Sequence, residues 1–330
     1  MSDQQATADS EAPVESSAAS SENPEERGRV LGRRSSDEEP RGKKERNASL
    51  WADAWRELYH NPIFIVSSLL VLAVVSMAAF PGLWTSQDPS ARGACELINN
   101  KAAPSSEHIF GTTVQGCDMY ATVIYGARPS IIIAVVVTAA TVFIGVALGV
   151  IAGYYGGWVD TVVSRITDVV LGLPFLLGAL VILALLRGQN IWTVALVLIV
   201  LGWPQVTRIM RGQVIAAKGQ DYVEAARALG ASNSSIILRH ILPNSIAPVI
   251  VLATLYLGGF VSAEATLTFL GVGLQLPSIS WGITIAQGQL LAVGGFPHLL
   301  IFPAGAVILT VLSFILLGDA LRDALDPRGR

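Results

Sequence analysis

The chain has 330 residues, 52% hydrophobic and only 14% charged, with a formal net charge of −3. Soluble domains carry about 25% charged residues, and the mean hydropathy of +0.54 points away from that class. Charge is also concentrated at one end, because residues 1–50 hold 11 of the 25 acidic and 8 of the 22 basic side chains. The stretches 61–87, 129–159, 169–186, 188–207, 240–263 and 265–318 contain no Asp, Glu, Lys or Arg. A helical bilayer crossing takes about 20 apolar residues. Six spans fit these runs, and a soluble core does not account for them.

Residues 1–49 read as a disordered tail, acidic from Glu11 to Glu26 and then basic from Arg27 to Arg46. Such a segment buries too little apolar surface to offset the entropy of ordering. Its basic half (Arg33, Arg34, Arg41, Lys43, Lys44, Arg46) also suits anionic lipid. The tail has no apolar core of the kind a cleaved signal peptide needs, so the first span is expected to act as its own signal. Ser49 is placed to cap an amphipathic interfacial helix over 50–62. In that helix Trp51, Trp55 and Leu58 share one face, and tryptophans at this position suit the bilayer interface. Pro62 then suits a helix start.

The expected spans are 63–82, 128–153, 162–186, 190–208, 244–270 and 299–319, giving an all-α membrane protein with six transmembrane helices. Two connections are long. The first, within 63–127, carries Cys95 and Cys117, and the second is 209–243. With the N-terminus inside, 18 Lys and Arg fall on the cytoplasmic side and four (Arg92, Lys101, Arg128, Arg187) outside. The positive-inside rule therefore places both termini and the 209–243 loop in the cytoplasm. Gly145, Gly149 and Gly153 lie on one face of the second span, where small residues admit a close helix neighbour. The same stripe is also compatible with the lining of a passage. Arg165 and Asp168 are spaced as an i, i+3 pair. Glu264 lies toward the outer end of the fifth span, where Arg128 or Arg187 is placed to neutralise it as a candidate outer-gate charge.

Catalytic signatures are missing from the sequence. His60, His108, His240 and His298 stand far apart, so no metal set is expected. There is neither a GxxxxGK[ST] phosphate loop nor a Gly-x-Ser-x-Gly nucleophile turn. No cofactor and no nucleic-acid partner is expected, and uphill work requires energy from another chain. A proton- or sodium-driven carrier is the rival class, but it needs ionisable groups in mid-membrane or broken inverted repeats.

The loop reads DYVEAARALGASNSSIILRHILPNSIAPVIV from Asp221 to Val251. Tyr222–Leu229 favours a helix that Gly230 ends. A second short helix follows from about Ser232 to His240, and Pro243 turns the chain into the next span. The result is a helix–Gly–helix elbow. Glu224-Ala225-Ala226, three residues, Gly230, nine residues, His240, then Leu242-Pro243 resembles the coupling loop of bacterial ABC-importer permeases. His240 in place of an apolar residue resembles the peptide-importer branch. Gly153 to Pro174, Glu264 to Gly282 and Leu316 to Arg330 are similar to the C-type permease of dipeptide and oligopeptide importers, as is Trp55 to Pro89. The resemblance covers about residues 50–330.

That resemblance implies the type I importer permease fold over 128–330, with 209–243 as the coupling loop. It implies a homologous second permease, two ABC ATPase subunits carrying ATP and Mg, an extracytoplasmic binding protein and a short-peptide substrate, with the lipid bilayer surrounding the chain. Nickel and haem importers share these segments. Glu224, Ala225, Ala226 and Gly230 are the residues expected to meet the ATPase. One segment departs from the pattern: where the family reads GTDxxGRD, this chain reads GTTVQGCD, with Thr113 for Asp and Cys117 for Arg. The substitution supplies a second cysteine in the external loop, and a Cys95–Cys117 disulfide is expected there.

Overall fold

The computed structural model describes residues 58–186 and 188–325. The tail at 1–49, the interfacial helix expected at 50–62 as far as residue 57, Arg187 and residues 326–330 lie outside that range. Among the described residues all regular structure is helical, apart from an isolated bridge between Thr112 and Asp118. Five helices are long and apolar enough to cross a membrane, and a sixth crossing is available if one bent pair counts as a single span.

Helix α1 (Pro62–Ala79) starts as the sequence implies: Asn61 Oδ1 accepts from the N–H groups of Ile63 and Phe64, and Pro62 occupies the first position. Helix α2 (Met119–Tyr155) has 37 residues. At 1.5 Å per residue it is about 56 Å long, well beyond the roughly 30 Å of a hydrocarbon core. It begins nine residues before the expected start at 128, because Asp118 caps it by accepting from Ala121 N (2.8 Å). The projecting turns support the long loop.

The third span is a correction. A continuous helix over 162–186 is expected from hydropathy. The chain instead forms α3 (Gly157–Leu171) and α4 (Phe175–Leu185), bent by 80°. Pro174 disfavours helical geometry at Leu173 and supplies no N–H to the ladder, so the helix breaks there.

Next come α5 (Ile191–Lys218), α6 (Asp221–Ala228), α7 (Asn233–Ile236), a π-helical turn at Ile237–Ile241, and α8 (Leu242–Ser245). Helix α9 (Ala247–Phe269) and α11 (His298–Leu325) are the last two long helices, with α10 (Trp281–Val293) between them. Hydropathy alone leaves 271–298 as a loop. Ser280 nevertheless caps α10 by accepting from Ile283 N, and Trp281 is buried with its indole N–H donated to Val123 O (2.8 Å). Thirteen residues reach about 20 Å, so α10 does not span a bilayer.

The principal core joins α2, α4, α5 and α9 through Ile133, Val137, Leu183, Leu198 and Val261. The glycine stripe faces α5. A Cβ on Gly145 would lie 2.4 Å from Val206 Cβ, one on Gly149 2.7 Å from Met210 Cβ, and one on Gly153 2.9 Å from Arg211 O. Close helix packing, and no passage, occupies that face.

The long loop between α1 and α2 is drawn together at its base. Cys95 and Cys117 are disulfide-bonded, with sulphurs 2.00 Å apart. Beside them Glu96 N donates to Gly116 O and Thr112 N to Ala102 O. Gly116 has φ +76°, and a Cβ there would lie 1.9 Å from Glu96 O, so only glycine fits.

Candidate functional site

The elbow begins where α5 runs past its apolar stretch and ends at Lys218. Helix α6 opens with Asp221 and Glu224 in its first turn and closes with Arg227 in its last, which matches the helix dipole at both ends. Gly230, at φ +80°, terminates it. Its N–H donates to Arg227 O (3.0 Å) and Ala231 N donates to Ala226 O (3.1 Å), the paired bonds of a Schellman turn. Ser232 then caps α7 through Ser235 N. Pro243 has no N–H for the carbonyl four residues back. Asn244 Nδ2 donates to His240 O (2.7 Å), and the π-helical turn absorbs the rest of the mismatch.

One side of the elbow is glued to the bundle. Val223, Ala226, Ile236 and Ile241 pack with Tyr154 of α2, Met210 and Val214 of α5, and Val249 of α9. Tyr154 Oη donates to Asn233 Oδ1 (2.8 Å), and Lys218 Nζ donates to Tyr154 O (2.5 Å). The elbow is thus packed and hydrogen-bonded against the ends of α2, α5 and α9.

The opposite side is open. Asp221, Glu224, Ala225, Arg227 and Gly230 are exposed, and Leu229 is 89% exposed. The structure brings Glu224, Ala225 and Gly230 together on this face. Ala226, expected at the same contact, is 8% exposed and points inward one turn from Val223, so its methyl packs beneath the elbow. Within the second half, His240 and Leu242 are half-buried and Pro243 is exposed. Leu229 was not singled out from the sequence. By spacing it continues the Val223–Ala226 stripe, and it escapes burial because the helix ends at Ala228 and Leu229 sits at its C-cap.

Two arginines of α5 join the elbow to the broken span. Arg211 grips Asp160 with both Nε and Nη2, the latter at 2.6 Å, and Arg208 Nη2 meets Asp168 at 3.0 Å. Asp168 therefore pairs across helices with Arg208 and not with Arg165 on its own helix. The bend between α3 and α4 borders a cavity of about 350 Å³ whose walls include Val170, Phe175, Gln205, Tyr256, Phe260 and Thr266. This space lies between the bend, α5 and α9.

Of the expected outer-gate charges, Arg128 and Glu264 do not pair with each other. Glu264 is fully buried and is satisfied by hydroxyls: Ser130 Oγ donates to Oε2 (2.6 Å) and Thr268 Oγ1 to Oε1 (3.0 Å). Arg128 instead closes the end of α1, donating from Nε to Ala78 O (3.2 Å) and from Nη2 to Ala79 O (3.5 Å). A cation at a helix C-terminus meets unpaired carbonyls and a favourable dipole, which explains its choice. Arg187 lies outside the described residues. No cluster of three or more His, Cys, Asp or Glu suited to a metal ion occurs among the described residues.

Comparison with known proteins agrees with this architecture. The family described as binding-protein-dependent transport system inner membrane component matches residues 145–330, and the N-terminal TM domain of oligopeptide transport permease C matches residues 49–104. The chain is 37% identical over 280 residues to the dipeptide transport system permease protein DppC of Alkalihalophilus pseudofirmus, covering 85% of this chain and 90% of that protein. It is 36% identical over 285 residues to the oligopeptide transport system permease protein OppC of Bacillus subtilis, covering 86% and 92%. It is also 36% identical over 282 residues to the glutathione transport system permease protein GsiD of Escherichia coli, covering 84% and 90%. On the strength of the match over more than half its length, this chain belongs to the family of binding-protein-dependent transport system inner membrane components.

Proposed function

We propose that this chain is the permease subunit of an ATP-driven importer that carries short peptides into the cytoplasm. The observation that carries this reading is the similarity over some 85% of the chain to permeases named for dipeptides and oligopeptides. The glutathione permease among the relatives also handles a small peptide by name. The elbow end is taken as cytoplasmic by the positive-inside rule, since Arg208, Arg211, Lys218, Arg227 and Arg239 cluster there. The partners are then a homologous second permease, two ATPase subunits against the elbow, and a binding protein on the opposite face of the bacterial inner membrane.

In this mechanism ATP is bound and hydrolysed by the partner subunits. The chain contributes a docking face around Glu224, Ala225, Leu229 and Gly230, and helices that carry its displacement to the cavity at the α3–α4 bend. The test is a mild-detergent purification, with partners identified and ATP hydrolysis assayed with and without peptide-loaded binding protein. Recovery of two ATPases and a second permease, with peptide-stimulated turnover, is the expected result. Recovery of the chain alone, with uptake that follows an ion gradient and ignores ATP, would overturn the reading.

A further inference from the structure

The two positions at which the loop departs from the family's charged pattern, Thr113 and Cys117, line the same cavity. It has a volume of about 380 Å³ and lies between the disulfide-closed loop and the segment that leads into α10. That size falls in the range of small-molecule sites, about 300–1,000 Å³. No Asp, Glu, Lys or Arg lines it. Asp118, next to Cys117, is already engaged by His108 Nδ1 (2.9 Å) and Ala121 N (2.8 Å).

Beside apolar residues such as Leu276, Ile279 and Ile283, the wall carries buried polar groups. Thr113, Thr122 and Thr284 are each more than nine-tenths buried. Thr113 Oγ1 accepts from Gln115 N (3.3 Å) and Cys117 N (3.1 Å), which leaves its proton to donate. Thr122 Oγ1 donates to Asp118 O and Thr284 Oγ1 to Ser280 O, which leaves both oxygens with lone pairs to accept. Gln115 and Gln287 add amide groups that donate and accept at once. An uncharged wall that offers both donors and acceptors suits a peptide backbone, which presents both N–H and C=O groups.

We propose that this cavity is a binding site for a short stretch of peptide backbone, read through its amides and independent of the charges the peptide carries. The proposal rests on the importer reading above, and it assigns the cargo's recognition in this chain to main-chain groups. A ligand that displaces water from these groups without offering matching N–H and C=O groups is disfavoured, so the site discriminates by their placement.

The test uses the complete importer in proteoliposomes and tri-alanine whose central side chain carries a diazirine. After irradiation, adducts are mapped by mass spectrometry, and ATP-driven uptake of the same peptide is measured in the same vesicles. Adducts are expected on 113–117 and 278–287. Acetylating the amino terminus and amidating the carboxyl terminus should leave labelling unchanged. N-methylating the central amides, or the variants Gln287→Leu and Thr284→Val, should reduce it about fivefold or more. Thr113→Asp should make labelling depend on the peptide's charge, and a variant that still takes up peptide is thereby shown to be folded. Uptake without adducts here, or equal labelling by the N-methylated peptide, overturns the site while leaving the importer reading intact. Adducts without ATP-driven uptake support the site and overturn the importer reading, and loss of both overturns both.

Discussion

Gly230 allows docking to be separated from folding at a single position. Its φ of +80° places it in the left-handed region, and a Cβ built there meets nothing within 4 Å. Substitution therefore has no steric component inside this chain, only a backbone one. For an ordinary L-residue that component is about 1–2 kcal/mol, a factor of roughly 5–30 in the population of the closed turn. Asparagine, which tolerates this conformation, should lose less. Alanine and tryptophan share nearly the same backbone penalty but differ greatly in bulk on an open face beside Leu229. The series Gly230→Asn, Gly230→Ala and Gly230→Trp is scored by membrane insertion, by recovery of ATPase subunits on purification, and by peptide uptake. Insertion should be unchanged throughout. Uptake should fall modestly for Asn and Ala and be abolished for Trp, with loss of the co-purifying ATPase. Equal losses for Ala and Trp would mean that the turn's shape alone matters and that no partner approaches this residue closely, which would refute the docking face.

Glu224→Arg reverses an exposed charge in the first turn of α6, and should abolish uptake while leaving insertion intact; normal uptake would remove Glu224 from the contact. Gly149→Ala drives a methyl to 2.7 Å from Met210 Cβ and 2.8 Å from Thr207 O, so the α2–α5 pair should lose about 1–3 kcal/mol, read as an earlier thermal unfolding in detergent. Gly212→Ala on α5, where nothing lies within 4 Å, is the control and should unfold no earlier than the parent. Non-reducing mass spectrometry should recover a linked peptide pair containing Cys95 and Cys117. Closing a loop of 22 residues is worth about 3 kcal/mol, so Cys95→Ser should make the loop markedly easier to cleave by an externally added protease; two free thiols in the native protein would refute the pairing.

The spans were legible because hydropathy and charge are additive along a helix, and 61–87 or 240–263 leave no other reading. What the sequence does not carry is direction and phase. Val169 to Leu186 is apolar on both sides of Pro174, so composition is blind to the 80° bend that the proline produces. Residues 119–127 are too mixed to register as membrane, and the early start of α2 depends on one carboxylate, Asp118, finding the N–H of Ala121. The elbow's existence could be read from the spacing of Glu224, Gly230 and Pro243. The inward turn of Ala226 could not, since it depends on Val223 finding the ends of α2 and α5. Arg128 and Glu264 sit at similar depth, which made a pair plausible, but depth is not proximity. The carbonyls at the end of α1 took the arginine, and two hydroxyls took the carboxylate.

On the importer reading proposed above, the packing offers a route from the elbow to the cavity. Helix α5 lines the bend cavity at Leu201, Gly202 and Gln205 and reaches the elbow at Lys218. Sixteen residues from Gly202 to Lys218 correspond to about 24 Å of continuous helix. The glycine stripe holds α2 against residues 203–214 of α5, so the two helices are packed together over that stretch. Near the elbow, Arg208 and Arg211 hold α3 by Asp168 and Asp160. On that reading, a displacement of the elbow has two packed routes toward the cavity, along α5 and through α3, which Arg211 ties to α5 at Asp160, to the break at Gly172–Pro174. A continuous third span would resist that motion with its full ladder of hydrogen bonds. A break beside the cavity lets one half tilt while the other stays packed, which is the property an alternately opening pathway requires.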